Sequence, residues 1–417
     1  MSSTLAAGKF DVVIAGGGLV GAALACALAE LPLRILIVEA VPPRAAGQPS
    51  YDDRNTALSY GSQRIAAGLG LWAALAPEAA PIHHIHISDR GRLGRAELHA
   101  AEHGVPALGY VVPNRALGQA LYARLGTLGN VTLRCPARVV EVEPSGARAR
   151  CTIEDAGARE TLAAALLVVA DGANSELRGR LGIEVSRHAY GQSAVIANVT
   201  AERPAEGWAF ERFTEQGPVA LLPRASGDLA AIVTVAGEDA EALATSPPQA
   251  YAAVLQERFG ARLGAFTRIG ARAHYPLALT RATSQVVGRA VVVGNAAHAL
   301  HPVAAQGFNL SLRDVAALAE VVADALAAGG DAGDAAALAH YAGWRAGDQR
   351  RMSLLSDGLA RVFANPLASV GLARSLGLLA FDLLPPAKRA FAKEMMGLSG
   401  RLPRLARGLS LRGLHSV

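Results

Sequence analysis

The N-terminal part of the chain alternates between short apolar runs and a helical pattern. Residues 10–15 (FDVVIA) are apolar and β-branched, which is typical of a fully buried parallel strand. The run from Ala22 to Glu30 predicts a helix, and Arg34 to Val38 predicts a second buried strand. Val12 to Ala29 is also 18 residues without a charge, a marginal length for a membrane span. The glycines inside it favour strand, turn and helix instead.

Two later apolar runs predict further strands that end in polar turns. The first begins at Leu166 and leads into Asp171-Gly172, after which Ser175 and Arg178 open a helix. The second, Val291 to Val293, leads into Gly294-Asn295. A short turn and a new helix near Gln306 follow. The first turn alone would also suit an ordinary Asx turn.

Short alternating strands between these runs predict a separate antiparallel sheet that roofs an apolar pocket. They are Ser193–Thr200, Trp208–Thr214, Val219–Pro223 and Leu229–Val235. From Arg351 onward the apolar spacing is helical, and Pro366 and Pro385-Pro386 divide it into segments. The fold class is therefore α/β, with an inserted antiparallel sheet and C-terminal helices.

The 417 residues are three to four times the usual length of one domain. We expect a discontinuous domain formed by residues 1–75, 105–185 and 275–350, which contains the buried strands and their polar turns. Residues 76–104 and 186–274 would form a β-sheet domain, and residues 351–417 a C-terminal helical region with a basic amphipathic tail. Half of the residues are hydrophobic and 18% are charged, which excludes a disordered chain.

The formal charge of +5 is not spread over the chain. Seven of the 40 basic residues and one of the 35 acidic residues lie after Ala387, which leaves 33 basic and 34 acidic residues before it. The body is therefore nearly neutral, and nucleic-acid binding by it is disfavoured. The three cysteines, Cys26, Cys135 and Cys151, form no CxxC pair, so we expect buried thiols in a reducing compartment.

The turn after the first strand carries a dinucleotide-binding pattern. Gly16, Gly18 and Gly21 satisfy G-x-G-x-x-G, and Glu39 ends the second strand 21 residues after Gly18. The glycines permit a tight turn, a close approach to a pyrophosphate and close packing of helix on strand, while the helix N-terminus attracts the phosphates. Glu39 can accept hydrogen bonds from two ribose hydroxyls. This pattern indicates NAD or FAD without choosing between them.

The three segments together resemble the FAD-dependent aromatic hydroxylases of the p-hydroxybenzoate hydroxylase fold. Further motifs narrow the resemblance to the ubiquinone-biosynthesis branch, and within it to the 2-polyprenyl-6-methoxyphenol hydroxylases. These motifs are Asp52–Leu58 (DDRNTAL), His86–Gly91 (HISDRG), Val195–Val199 (VIANV), Phe210–Thr214 (FERFT), Gly217-Pro218, Leu221–Pro223 (LLP) and Tyr275–Leu277 (YPL). The similarity extends from about Phe10 to past Asp314, with weaker echoes in the tail.

The resemblance implies that the discontinuous domain (1–75, 105–185 and 275–350) binds FAD and that the β-sheet domain (76–104 and 186–274) binds the substrate. It also implies roles in FAD binding for individual residues. Gly16, Gly18 and Gly21 would hold the pyrophosphate and Glu39 the adenosine ribose, while Asp171 and Gly172 would contact the pyrophosphate and NAD(P)H. Arg54 would reach the FAD phosphates or the ribityl chain, with Gln119 near the ribityl chain and Asn295 on one of its hydroxyls. Pro302 would lie beside the isoalloxazine, and the backbone of Gly307, Phe308 and Asn309 would bind its pyrimidine edge. Leu19, Val20, Ala40, Ala57, Leu58, Arg115 and Gly294 complete the implied cofactor site.

The resemblance also implies a reaction, in which NAD(P)H reduces FAD and O₂ forms a flavin C4a-hydroperoxide that hydroxylates a lipophilic polyprenyl phenol. The catalytic residues remain unknown at this point, with His301 and Pro302 as candidates near the flavin. A phenol titrates near pH 10, so some group should favour its phenolate character. The sequence does not identify that group.

Three positions depart from the wider family: Asn295 replaces a usual Asp, and Ala305 and Ser311 replace usual glycines. An altered flavin pocket could tolerate loss of turnover. We therefore keep a second hypothesis, a flavoprotein with a mainly structural role in a quinone-biosynthesis assembly. An NAD-dependent dehydrogenase would leave the Asp171 and Asn295 segments unexplained.

The histidines favour structural roles over catalytic ones. His83, His84 and His86 lack Cys or carboxylate partners at metal-ligand spacing, so we expect a solvent-facing or edge strand and no metal site. His298 and His301 favour a structural or flavin-adjacent position over general acid–base work. No Gly-x-Ser-x-Gly elbow supports a hydrolase.

The tail from Leu376 combines leucines with seven cations and is too short to span a bilayer. Two interpretations stay open: it binds an anionic membrane or a partner protein of ubiquinone biosynthesis, or it packs on the body with its arginines in solvent. No secretory signal pattern precedes the first apolar run. We expect a cytoplasmic chain, with peripheral binding to the inner face of the membrane as the alternative.

Overall fold

A six-stranded sheet is assembled from segments that lie far apart in the sequence. The computed structural model describes residues 10–42, 54–300, 306–364 and 368–412. In spatial order the strands are β18 (Val286–Val287), β19 (Ala290–Val292), β12 (Leu166–Val169), β1 (Val12–Ala15), β2 (Ile35–Val38) and β8 (Val131–Arg134). Every neighbouring pair from β19 to β8 is parallel, and only β18 is antiparallel. The predicted strands of the parallel sheet are confirmed.

Both faces of this sheet are covered, which explains why its strands are apolar throughout. Helices α1 (Leu19–Leu28), α4 (Asn114–Leu125) and α8 (Gln306–Ala327) cover the face to which Val12 and Ile14 belong. A three-stranded sheet covers the other face, where Val13 and Ala15 lie. Its strands are β9 (Arg138–Glu143), β10 (Ala149–Asp155) and β11 (Ala158–Ala164).

A second, eight-stranded sheet contains the strands predicted between residues 193 and 235. In spatial order it consists of β20 (His298–Ala299), β17 (Phe266–Ala282), β13 (Val185–Ala201), β16 (Leu229–Ala236), β15 (Val219–Pro223), β14 (Trp208–Phe213), β5 (His84–Asp89) and β6 (Arg95–His99). The predicted antiparallel pairing of these four strands is confirmed. The sheet is mixed, however, because β14 pairs with β5 in parallel.

The expectation that the histidines occupy a solvent-facing or edge strand is wrong. Strand β5 lies between β14 and β6, so it is not an edge strand. The ring of His84 stacks 4.6 Å from that of Trp208, and the buried His86 ring lies 6.1 Å from Phe210. Burial lowers the pKa of His86 to about 4. These histidines extend the aromatic core beneath the sheet, on the side of α6 (Ala240–Thr245) and α7 (Pro248–Phe259).

The remaining elements join the two large sheets and close the fold. A small sheet consists of β3 (Asn55–Ser59), β7 (Gly109–Pro113) and β4 (Ala80–Ile82). The other helices are α2 (Tyr60–Gly68), α3 (Trp72–Leu75), α5 (Glu176–Arg180), α9 (Ala335–Ala364), α10 (Ala368–Leu383) and α11 (Pro385–Met395). The break predicted at Pro385-Pro386 is confirmed, since α11 begins with these prolines. Pro366 lies outside the described residues.

The basic tail divides into two parts with different surroundings. Leu405 and Leu411 are buried in the main core, the former beside Gly68 at the end of α2. Arg404 pairs with Asp324, and the Arg401 guanidinium lies 4.1 Å from the Trp344 ring centroid. For residues 402–412 the structure therefore supports packing on the body. Leu376 and its neighbours on α10, in contrast, are exposed.

Candidate functional site

The turn after β1 has a geometry that only glycine satisfies at two positions. Gly16 has φ +107°, and a Cβ there would lie 2.4 Å from the Ala170 carbonyl oxygen. A Cβ on Gly21 would lie 2.0 Å from the Gly16 oxygen. No side chain caps α1 at Gly18, so the first amides of the helix point out of the sheet edge without a side-chain acceptor. An anion such as a pyrophosphate matches these donors.

Backbone hydrogen bonds hold the Glu39 carboxylate beside this turn. One carboxylate oxygen accepts the Gly17 N–H at 2.6 Å and the other accepts the Val41 N–H at 2.8 Å. The side chain is 8% exposed, and each of its oxygens can accept a second hydrogen bond. The arrangement suits a ribose whose two hydroxyls donate to one carboxylate. Ala40, the next implied residue, is exposed.

The turns after β12 and β19 lie next to the glycine turn because these strands flank β1 in one parallel array. Asp171 and Asn295 are both exposed at this edge, and a Cβ on Gly294 would lie 3.1 Å from the Val20 side chain. The Arg178 guanidinium donates to the Ala296 carbonyl at 2.8 Å and joins two of the turns. The fold thus brings together three segments that the sequence singles out separately.

A large apolar cavity begins where this edge meets the eight-stranded sheet. Its volume is about 690 Å³. It is bounded by β3, the N-terminus of α8, helices α9 to α11 and strands of the eight-stranded sheet, which we call the roof sheet. Most of its walls are aliphatic or aromatic, including Ile85, Ile87, Leu98, Leu222, Ile232, Leu378, Phe381 and Phe391. Its shape and lining suit a hydrophobic ring with an apolar substituent.

The N-terminus of α8 borders the cavity and is locked against β3. The Asn309 carboxamide oxygen accepts the Ser59 N–H at 2.8 Å, and its NH₂ donates to the Ala57 carbonyl at 2.9 Å. Gly307 leaves open space on the cavity side, where a Cβ would meet no described atom within 4 Å. The positive end of a 22-residue helix therefore faces the cavity and favours negative charge there.

Other implied residues are distributed around the cavity and the edge. Arg54, Ala57, Leu58 and Phe308 line the cavity, and the Arg54 guanidinium lies 4.7 Å from the Tyr275 ring centroid. Gln119 is exposed on α4, and the Arg115 guanidinium is held by Glu78. His301, Pro302 and Ala305 lie outside the described residues. Ser311, at the other altered glycine position, donates its hydroxyl to the Gly307 carbonyl at 3.0 Å.

His298 belongs to a buried ionic network. Its Nε2 lies 2.5 Å from one carboxylate oxygen of Asp314. The other oxygen of the same carboxylate accepts a hydrogen bond from the Arg345 guanidinium at 2.5 Å. Although burial opposes ionisation, Arg345 and His298 lower the pKa of Asp314 to about 2. Asp348 links Arg345 to Arg313 in the same cluster. These contacts tie the segment after β19 to α8 and α9, which supports a structural role for His298.

Two features of the cavity wall were not identified from the sequence. The Asn309 side chain organises the α8 terminus, although only its backbone was singled out. Glu211 points into the cavity from β14, beside Ala209 and Phe213. The period-two pattern of β14 could have shown that Glu211 shares a face with apolar residues, but not that this face borders a cavity. Among the described residues no group of three or more His, Cys, Asp or Glu side chains is arranged to hold a metal.

Comparisons with known proteins agree with this geometry. A family model described as "FAD binding domain" matches residues 9–346. The chain is 39% identical to the ubiquinone hydroxylase UbiL of Rhodospirillum rubrum, over 96% of this chain and 93% of the relative. It is 32% identical to the 3-demethoxyubiquinol 3-hydroxylase of Escherichia coli, over 93% and 98% respectively. The crystal structure of p-nitrophenol 4-monooxygenase PnpA from Pseudomonas putida has the same fold, with a TM-score of 0.77, 17% identity and coverage of 94% and 98%.

Proposed function

The chain belongs to the flavoproteins that share the FAD binding domain. From this premise we propose that it hydroxylates a polyprenylated phenol. Two relatives at least 30% identical over nearly the whole chain are named ubiquinone hydroxylase and 3-demethoxyubiquinol 3-hydroxylase. The protein is accordingly an FAD-dependent aromatic monooxygenase of ubiquinone biosynthesis, with NAD(P)H and O₂ as co-substrates. The polyprenyl (methoxy)phenol is the proposed substrate.

The main evidence for a prenylated phenol as substrate is the apolar cavity. It adjoins the α8 terminus on one side and extends among apolar side chains of α10 and α11 on the other. A phenol ring fits beside the cofactor edge, while the apolar extension suits a prenyl chain. Burying that chain would release water from both surfaces, at about 25 cal/mol for each Å².

The described residues fit FAD. The uncapped N-terminus of α1 and the crowded glycines Gly16 and Gly21 would receive the pyrophosphate, and Glu39 the adenosine ribose. Asn295 would bond the ribityl chain, and the α8 terminus at Gly307 would lie at the pyrimidine edge. When bound, FAD supplies the redox chemistry with NAD(P)H and O₂. The protein's own part is to position the phenol, exclude water and favour negative charge beside α8.

We retain the division of the chain given above. The six-stranded sheet draws on strands between residues 12 and 292, and the roof sheet on residues 84–99, 185–282 and 298–299. Such interleaving is what a discontinuous cofactor unit with a substrate sheet inserted into it would produce.

We also propose that α10 is where the protein meets a membrane, in place of the extreme basic tail. Among the described helices none is both long and apolar enough to cross a bilayer alone, while α10 and α11 together meet that criterion but are bent by 96°. The outward face of α10 is uncharged: Leu372, Leu376 and Leu383 are 58%, 57% and 79% exposed.

The charged and apolar faces of α10 are exchanged relative to those of an ordinary surface helix, whose charged residues face solvent. Its two charged residues face the body, where Arg374 pairs with Asp89, and Asp382 accepts the Glu97 N–H and pairs with Lys388. Leu93, in the turn beside α10, is 86% exposed. The neighbouring cations Arg92, Arg95 and Arg389 are exposed and suit the phosphates of anionic lipids. Leu378 and Phe381 of the same helix line the cavity, so a lipid-dissolved phenol would enter beside it.

The reaction can be tested with purified protein. It should be yellow with releasable FAD, and a short-chain prenyl phenol should raise NAD(P)H oxidation while one atom of ¹⁸O₂ enters the product. Phenol-dependent turnover would also remove the purely structural alternative. A protein that refuses FAD on reconstitution, or that never transfers oxygen to any phenol, would contradict the proposal.

A further inference from the structure

Glu211 is a charged residue at an apolar position of the cavity. It lies on β14 between two cross-strand neighbours, Ile87 of β5 and Ala220 of β15, both of which line the cavity. Ala209 and Phe213, two residues away on the same face of β14, line it as well. The carboxyl group therefore emerges from the roof sheet within an apolar ring of side chains.

No cation among the described residues offsets this carboxyl group. Arg54 is the other charged residue that lines the cavity, and its guanidinium lies over the Tyr275 ring. The neighbouring Arg212 alternates to the opposite face of β14, the side of His86 and Arg262. Within the described residues Glu211 makes neither a hydrogen bond nor an ion pair. Burial alone raises its pKa to about 7.

An ionised carboxyl group in such surroundings costs stability, because apolar side chains surround it and no hydrogen bond from a described residue compensates it. An apolar residue at this position would give a more stable roof sheet. The side chain must therefore be explained by something that enters the cavity. A ligand that brings a hydrogen-bond donor into the apolar ring satisfies that requirement.

We propose that Glu211 is the residue that receives the phenol hydroxyl of the substrate and holds its proton during hydroxylation. This inference rests on the proposed function. The ring would lie between Glu211 in the roof and the α8 terminus, both of which border the same cavity. In this orientation the phenol hydroxyl contacts Glu211, and the prenyl chain lies in the apolar extension of the cavity toward α10.

The acid–base balance suits this role. A phenol has a pKa of about 10 and an ordinary glutamate one of about 4.3, so an exposed carboxylate is a poor acceptor of the phenol proton. With a pKa of about 7, Glu211 closes roughly half of that gap and is still ionised at slightly alkaline pH. As oxygen is added to the ring, the proton moves from the phenol oxygen to a Glu211 oxygen. It returns to the same phenol oxygen when the hydroxylated carbon releases its own hydrogen as a proton to solvent, so the ring regains its aromaticity and Glu211 ends unchanged.

The test measures ligand binding to the FAD-loaded protein without NAD(P)H, from the change in the flavin spectrum. A short-chain prenyl phenol is compared with its methyl ether, which lacks the donor. Glu211→Gln should weaken phenol binding about tenfold or more at pH 8 and leave ether binding unchanged. It should also abolish the rise of phenol affinity between pH 6 and 8. Glu211→Asp, which retains a carboxyl group, should keep part of that pH dependence.

A matched control is Thr234→Val, which removes a polar group from the cavity lining without changing a charge. It should leave the pH dependence of phenol binding intact. Equal phenol affinity and equal pH dependence in wild-type and Glu211→Gln protein, with FAD fully bound, would overturn the assignment of Glu211 alone. A wild-type holoprotein that binds no phenol would overturn the proposed function, and the role of Glu211 with it.

Discussion

Arg374 and Asp89, 285 residues apart, form a buried bidentate pair. The guanidinium Nε and Nη2 donate to the two carboxylate oxygens at 2.8 and 2.9 Å, and the side chains are 6% and 1% exposed. The pair joins α10 to the end of β5, the strand that flanks β14. It also decides which face of α10 turns outward, because the polar side of the helix is held against the body.

Breaking the pair of Arg374 and Asp89 should lower the free energy of unfolding. Arg374→Met leaves the Asp89 carboxylate buried without its main partner, and the expected loss in the free energy of unfolding is about 3 kcal/mol. Arg361→Met is the control, because it breaks the solvent-exposed pair with Asp357 and should leave the free energy of unfolding almost unchanged. Urea unfolding of the holoprotein measures both. The double variant Asp89→Asn/Arg374→Met should recover part of the loss, and a failure to do so would contradict the pairing.

The outward leucines of α10 should govern membrane binding. Replacing Leu372, Leu376 and Leu383 by Ser removes apolar surface that is already exposed, so the fold should persist while binding to anionic vesicles falls at least tenfold. Co-sedimentation with vesicles of anionic and zwitterionic lipids measures the effect. Leu133→Ser and Leu409→Ser remove exposed leucines elsewhere and serve as controls. Unchanged vesicle binding, or a change in oligomeric state in its place, would assign this face to another partner.

Glu39 should contribute directly to FAD affinity. Glu39→Gln keeps the size of the side chain but places an NH₂ group against one of the two backbone donors, Gly17 N–H or Val41 N–H. We expect FAD to dissociate about tenfold more readily, as measured by the recovery of flavin fluorescence. Glu143→Gln changes an exposed carboxylate on β9 and should leave FAD affinity unaltered. Wild-type affinity in Glu39→Gln would exclude a ribose contact at this residue.

Glu211 should make stability depend on pH. The fold raises the pKa of this carboxyl group from about 4.5 to about 7, so the protonated form is favoured and the cost of ionisation grows as the pH rises through that interval. Glu211→Gln should therefore be more stable than wild type at pH 8, by on the order of 3 kcal/mol. The difference should vanish near pH 4.5. Urea unfolding of the holoprotein at several pH values measures it, and a gain that is independent of pH would point to packing.

Several elements of the cofactor edge were predictable from local sequence. The strands at Val12, Leu166 and Val291 are apolar runs that end abruptly in glycine or a polar residue, and a parallel strand buried on both faces has no other pattern available. The start of α8 near Gln306 was predictable as well, because a short turn follows the strand at Val291 and a new helix follows that turn. The parallel pairing of β14 with β5 was not, because it joins segments more than 100 residues apart and leaves no mark on either.

The sequence by itself determined four strands of the parallel sheet, the glycine turn and the acid at the end of the second strand, because each of these depends on residues close together in the chain. Only the tertiary structure decided which side of α10 faces outward and what Glu211 faces. Helical periodicity places the α10 leucines on one stripe but does not say whether a core lies against it, and the contact of Arg374 with Asp89 turns that stripe away from the body. Likewise, strand alternation separates Glu211 from Phe210, while the presence of a cavity depends on helices that follow more than 100 residues later.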